Sequence, residues 1–83
     1  MSDKVYTEVF FPALNKNYNF VLPVGITLDT AVKLMTEIIR EKEFIQLEDL
    51  GLLLYDWESR EMLDRTKTVF GSGIIDGKKL MLV

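Results

Sequence analysis

The chain has 83 residues and a net charge of −3, from ten basic and thirteen acidic side chains, and it contains neither cysteine nor histidine. That length supports one core of modest size, read as a single domain over residues 1–83. The missing residue types exclude thiol nucleophiles, disulfides, thiolate or imidazole metal sites, iron–sulfur ligation and imidazole acid–base chemistry. With Lys78-Lys79 as the only adjacent basic pair, no basic stripe is available for phosphates, so nucleic acid is not expected as a partner. Apolar residues make up 48% of the chain, enough to build a core despite the charged fraction. Met1-Ser2-Asp3-Lys4 is polar and no apolar run approaches bilayer length, so no membrane insertion is expected and a cytoplasmic location is the default.

Val5 to Phe11 alternates, with Val5, Thr7, Val9 and Phe11 on one face and Tyr6, Glu8 and Phe10 on the other; β-branched and aromatic residues at period two read as a strand. Pro12 to Asn17 supplies turn chemistry, and Tyr18 to Leu22 reads as the second strand of an antiparallel hairpin. A register with Phe11 opposite Tyr18, Val9 opposite Phe20 and Thr7 opposite Leu22 places the more apolar set on one face.

Pro23-Val24-Gly25 ends that strand. Thr27 is placed as the N-cap of a helix with Asp29 in its positive first turn. Leu28, Ala31, Val32, Met35, Ile38 and Ile39 recur at helical spacing, each large member contributing roughly 1.5–3 kcal/mol on burial. Lys33, Glu37 and Arg40 mark the wet side, with Lys33 and Glu37 four apart, and the helix is expected to end near Lys42.

Glu43 to Leu50 has no clean period, and its Phe44, Ile45, Leu47 and Leu50 read as a connection packed against the edge of the core. Leu52 to Tyr55 reads as a third strand, Asp56 to Arg60 as a polar turn and Glu61-Met62-Leu63 as a short partner strand. Asp64 to Gly73 reads as an irregular crossing segment and Asp76-Gly77 as a turn. Lys79 to Val83 is a last strand with Leu80 and Leu82 inward and Met81 and Val83 outward. The expected class is α+β: a mixed sheet packed on one main helix in the order ββαβ(β)β.

This order resembles the ubiquitin-like β-grasp superfamily from Val5 to Val83. Three stretches carry the resemblance: Leu22-Pro23-Val24-Gly25-Ile26-Thr27-Leu28-Asp29 between hairpin and helix, Met62-Leu63-Asp64 leading into Thr68-Val69-Phe70, and the Ile74-to-Leu82 close with its Asp-Gly and Leu-x-Leu. Ubiquitin, its conjugated relatives and the sulfur carriers of this fold end in a mobile Gly-Gly, and this sequence has no glycine after Gly77. The resemblance therefore points toward binding and away from conjugation. Among relatives without that tail the chain is most similar to the YukD/EsaB group. These small ubiquitin-like proteins accompany type VII (WXG100/ESX-like) secretion systems of Gram-positive bacteria.

The register places Tyr6, Phe10, Val21, Met81 and Val83 on the sheet face away from the helix. Clustered apolar groups on such a face mark an interaction site; the structural alternative is that neighbouring loops partly cover Tyr6 and Phe10, or that the register is off by one and these two belong to the core. Trp57, in the polar turn, reads either as a binding anchor or as a ring folded back over its own hairpin. Asp56 with Glu58, or Glu48 with Asp49, would do acid–base work only in a pocket that drives their pKa values apart; without histidine, a cofactor motif or a phosphate loop they read as solvated carboxylates. No catalytic residue, cofactor or metal is expected. The resemblance implies a cytoplasmic, non-enzymatic accessory protein that binds another protein, with self-association into a homodimer, or a covalent-modifier role, as the alternatives.

Overall fold

The computed structural model describes residues 3–48 and 51–83. Strand β1 (Lys4–Phe11) and strand β2 (Lys16–Pro23) form the hairpin, helix α1 (Leu28–Glu43) follows, and strands β3 (Leu54–Asp56) and β4 (Lys78–Leu82) complete a sheet of order β2-β1-β4-β3. β4 runs parallel to β1, pairing Thr7 to Phe10 with Lys78 to Met81, and antiparallel to β3. The last strand thus lies in the middle of the sheet, beside the first.

The expected α+β order stands, but the hairpin register is corrected by two residues. Thr7 lies opposite Phe20, Val9 opposite Tyr18 and Phe11 opposite Lys16. The connection is tighter than the six-residue turn expected: a 3-10 turn spans Pro12–Leu14, and Asn15, in left-handed backbone (φ 53, ψ 45), donates its N–H to the Pro12 carbonyl. Proline presets the turn and asparagine closes it, so β2 starts at Lys16. A two-residue slip leaves every side chain on its own face because the pleat repeats every two residues. The inward set therefore survives the change, and Thr7, buried with it, donates its hydroxyl to the Phe20 carbonyl at 3.2 Å.

The helix begins where Thr27 predicts. The Thr27 hydroxyl accepts from the Thr30 N–H at 3.2 Å. The two preceding N–H groups donate outside the helix, Leu28 to the Lys67 carbonyl and Asp29 to the Arg65 carbonyl. The crossing segment that looked irregular in sequence thus satisfies the helix start, where backbone donors lack helical partners. Val69 and Phe70 continue the seam by donating to Ile26 and Val24. Asp29 pairs with Arg65 at 2.8 Å and with Lys33 at 3.3 Å, so Lys33 turns back toward the helix start and away from Glu37.

The buried stripe is Leu28, Ala31, Val32, Met35, Thr36 and Ile39, and the expected Ile38 is 48% exposed. Ile38 sits about 100° around the helix from Ile39, on the flank. Thr36 replaces it because its hydroxyl returns to the Val32 carbonyl at 2.7 Å, which removes the penalty of burying it. The helix ends at Glu43, whose carboxylate joins Lys16 at 2.7 Å and the Tyr18 hydroxyl at 3.1 Å, tying the helix end to the start of β2. The Lys16 ammonium lowers the Glu43 pKa from the ordinary glutamate value, while burial, then Glu43 itself, raises that of Tyr18.

In the following connection Ile45 and Leu47 pack against the core as expected, but Phe44 is 94% exposed. Leu50, also expected there, lies outside the described residues. β3 begins two residues later than the sequence suggested, and the expected Glu61-Met62-Leu63 strand reduces to a single bridge between Met62 and Tyr55. Asp76 and Gly77 close the approach to β4: Asp76 Oδ1 accepts the Tyr6 N–H and the Gly77 N–H donates to the Tyr6 carbonyl, both at 2.9 Å. Gly77 holds φ 83, a backbone that costs glycine no steric penalty. Leu80 and Leu82 of β4 are fully buried with Val9, Leu28, Met35, Ile39 and Leu54 in one core between sheet and helix.

Candidate protein-binding face

The side of the sheet turned away from α1 is ordered by the registers into rows. Phe10 of β1 lies beside Met81 of β4, Met81 beside Tyr55 of β3, and Tyr55 beside Met62. This apolar row crosses three strands. Glu8 and Lys79 form the next row, with their charged atoms 3.8 Å apart. Beyond them Tyr6 faces Val21, 65% and 48% exposed. At the opposite end Val83 and Leu53 exchange two main-chain hydrogen bonds, and both side chains are open to solvent. Next to Leu53 a cleft of about 390 Å³ is lined by Leu53, Leu54, Met62, Leu63, Asp64 and Arg65.

The six residues singled out from sequence therefore share one side but do not form one patch. Phe10, Met81, Val83 and Trp57 gather around the apolar row, whereas Tyr6 and Val21 stand apart behind the Glu8–Lys79 row. Phe10 is half-buried, because Trp57 packs edge-on against it with ring centroids 5.6 Å apart. The Trp57 main-chain N–H donates to the Lys79 carbonyl at 3.0 Å, extending the β3–β4 ladder one residue past Asp56. Two cations lie over the indole, Lys79 Nζ at 4.6 Å and the Arg60 guanidinium at 5.0 Å from the ring centroid. Tyr55, Met62 and Leu53 complete the surface and escaped the sequence reading; alternation within the third strand already marks Tyr55 as opposite in face to Leu54.

Asp56 is occupied by the fold. Its Oδ1 accepts the backbone N–H groups of Glu58 and Ser59, and its Oδ2 meets Lys78 Nζ at 2.7 Å. The bond from Lys78 lowers the Asp56 pKa from the ordinary aspartate value against the opposing effect of burial, and Asp56 in turn raises that of Lys78. An aspartate tied to three donors locks the turn that presents Trp57. Its expected companion Glu58 and, elsewhere, Glu48 are exposed; Asp49 lies outside the described residues. Among the described residues no cluster of three or more histidine, cysteine or acidic side chains could hold a metal ion, and no helix is long and apolar enough to cross a membrane.

No protein-family model and no curated protein matches the sequence. Solved structures do. The ubiquitin-like domain of the Mycobacterium tuberculosis type VII secretion system protein ECCD1 superposes with a TM-score of 0.71 at 18% identity, covering 100% of this chain and 99% of that one. A ubiquitin-like domain from Arabidopsis thaliana gives 0.75 at 17% identity over 99% of this chain and 78% of its own. A chain of a toluene 4-monooxygenase complex gives 0.80 at 12% identity, covering 96% of each. At these identities the likeness is one of fold, and the fold is the ubiquitin-like β-grasp.

Proposed function

We propose that this chain is a single ubiquitin-like domain that works as a non-enzymatic, cytoplasmic accessory protein, docking its outer sheet face on a larger protein of a type VII (WXG100/ESX-like) secretion system. The observation that carries the docking role is the row Phe10, Met81, Tyr55 and Met62: four large apolar side chains lie side by side across three strands, on a face that the helix leaves uncovered. An antiparallel or mixed sheet with one side in water ordinarily carries polar residues there. The YukD/EsaB resemblance and the likeness to the ECCD1 domain support the secretion setting. Asp56, held by three donors, supports no catalytic role.

The test is deletion of the gene in its host, followed by complementation. Loss of export of the small WXG100-type proteins, restored by the wild type but not by Met81→Glu with an unchanged thermal midpoint, is the expected result. Normal export in the deletion strain refutes the secretion setting, and full complementation by Met81→Glu refutes docking through this face. A dilution series on a sizing column addresses self-association: a concentration-dependent dimer lost in Met81→Glu would assign the face to a second copy.

A further inference from the structure

We infer that the outer face takes an apolar segment of a partner protein that carries a carboxylate beside its apolar anchor, with Arg60 and Lys79 reading that charge. This rests on the docking role of the face and adds the chemistry of what docks. The apolar row supplies the anchor site, and Arg60 and Lys79 stand at its border over Trp57. Lys16 and Lys78 each have a carboxylate at 2.7 Å, so their charge is consumed within the fold. Lys79 meets Glu8 only at 3.8 Å, well beyond the 2.7–2.9 Å of a strong charge-assisted bond. Arg60 makes no ion pair among the described residues and is instead held over the Trp57 ring.

An aromatic face positions a cation without neutralising it. Trp57 therefore holds two positive groups at the end of the apolar row, still able to attract an anion. Arg60 is kept there although its backbone is left-handed, at φ 63, where glycine fits best. On a chain whose net charge is −3, the apolar row is bordered by one cation with no ion pair among the described residues, Arg60, and one with only a long ion pair, Lys79. That border favours partners of opposite sign and repels basic ones.

A displayed library of random linear peptides selected on the full chain tests this, with enriched peptides then synthesised and titrated by anisotropy. The expected pool carries Asp or Glu close to Leu, Ile or Phe anchors. Met81→Glu abolishes binding, and the double variant Arg60→Gln, Lys79→Gln weakens it about tenfold at low salt. The weakening shrinks in 1 M salt, where the screening length is about 3 Å. Exchanging the peptide's own Glu for Gln reproduces the loss without altering the protein. Peptides that need Met81 but ignore both charge exchanges overturn the acidic-partner inference and leave face docking standing. Peptides indifferent to Met81→Glu, or a library that enriches nothing, overturn both.

Discussion

Phe44 closes the C-terminus of α1 in left-handed backbone, φ 55 and ψ 43, with its N–H donating to the Arg40 carbonyl. Glycine usually fills such a position because a Cβ there crowds the backbone. The conformation costs a non-glycine residue about 1–2 kcal/mol. The side chain recovers almost none of that by packing, since it is 94% exposed. Replacing it with glycine removes the strain but adds about 0.4–1 kcal/mol of unfolded-state entropy, so Phe44→Gly should stabilise the fold by about 0.5–1 kcal/mol net. For a domain of this size that is a rise of about 3–6 °C in thermal midpoint. Urea unfolding followed by circular dichroism should show a higher midpoint with an unchanged m-value. Phe44→Ala keeps the strain and should stay within about 0.5 kcal/mol of the wild type. A glycine variant no more stable than the wild type, or an alanine variant losing more than about 1 kcal/mol, would show instead that the exposed ring contributes packing energy.

Three further outcomes follow from the same geometry. Asp56 and Glu43 have lowered pKa values in the fold, so their stabilisation is complete above the unfolded values near 4 and drains away as pH falls through the folded ones; Asp56→Asn should lower stability at neutral pH and flatten that acid limb, as pH-resolved urea melts would show. Gly77→Ala should cost about 1–2 kcal/mol, because φ 83 admits no side chain without strain although the space around it is open; an unchanged urea midpoint would mean that the Asp76-Gly77 turn can relax. Trp57, the single tryptophan, should emit to the blue of the unfolded chain, and Phe10→Ala should shift it red by removing the edge-on ring; identical spectra would place the indole in solvent.

The two faces of β1, β2 and β4, the N-cap at Thr27 and most of the helical stripe were legible in the sequence because they depend on periodicity and on residues within a few positions of one another. The binding face was legible only as a list of outward residues. Tyr6 and Phe10 are outward by alternation alone, yet the pairing of Glu8 with Lys79 divides them, and that pairing joins positions 71 residues apart. The hairpin register likewise depended on how few residues Pro12 and Asn15 need to reverse the chain, which period-two patterning leaves open because a two-residue slip preserves both faces.

What local pattern decided by itself was which side chains face inward: alternation and helical spacing are properties of a single segment, enforced by the same burial energy in any register. Which groups meet was fixed by the packed fold. Leu28 and Asp29 find their acceptors on Lys67 and Arg65, Thr36 is buried in place of Ile38, and Trp57 closes over Phe10 with two cations above its ring. Each of these joins side chains or main-chain groups whose proximity depends on where the sheet midline and the crossing segment settle once the core is packed, a balance among all the elements that no one segment encodes.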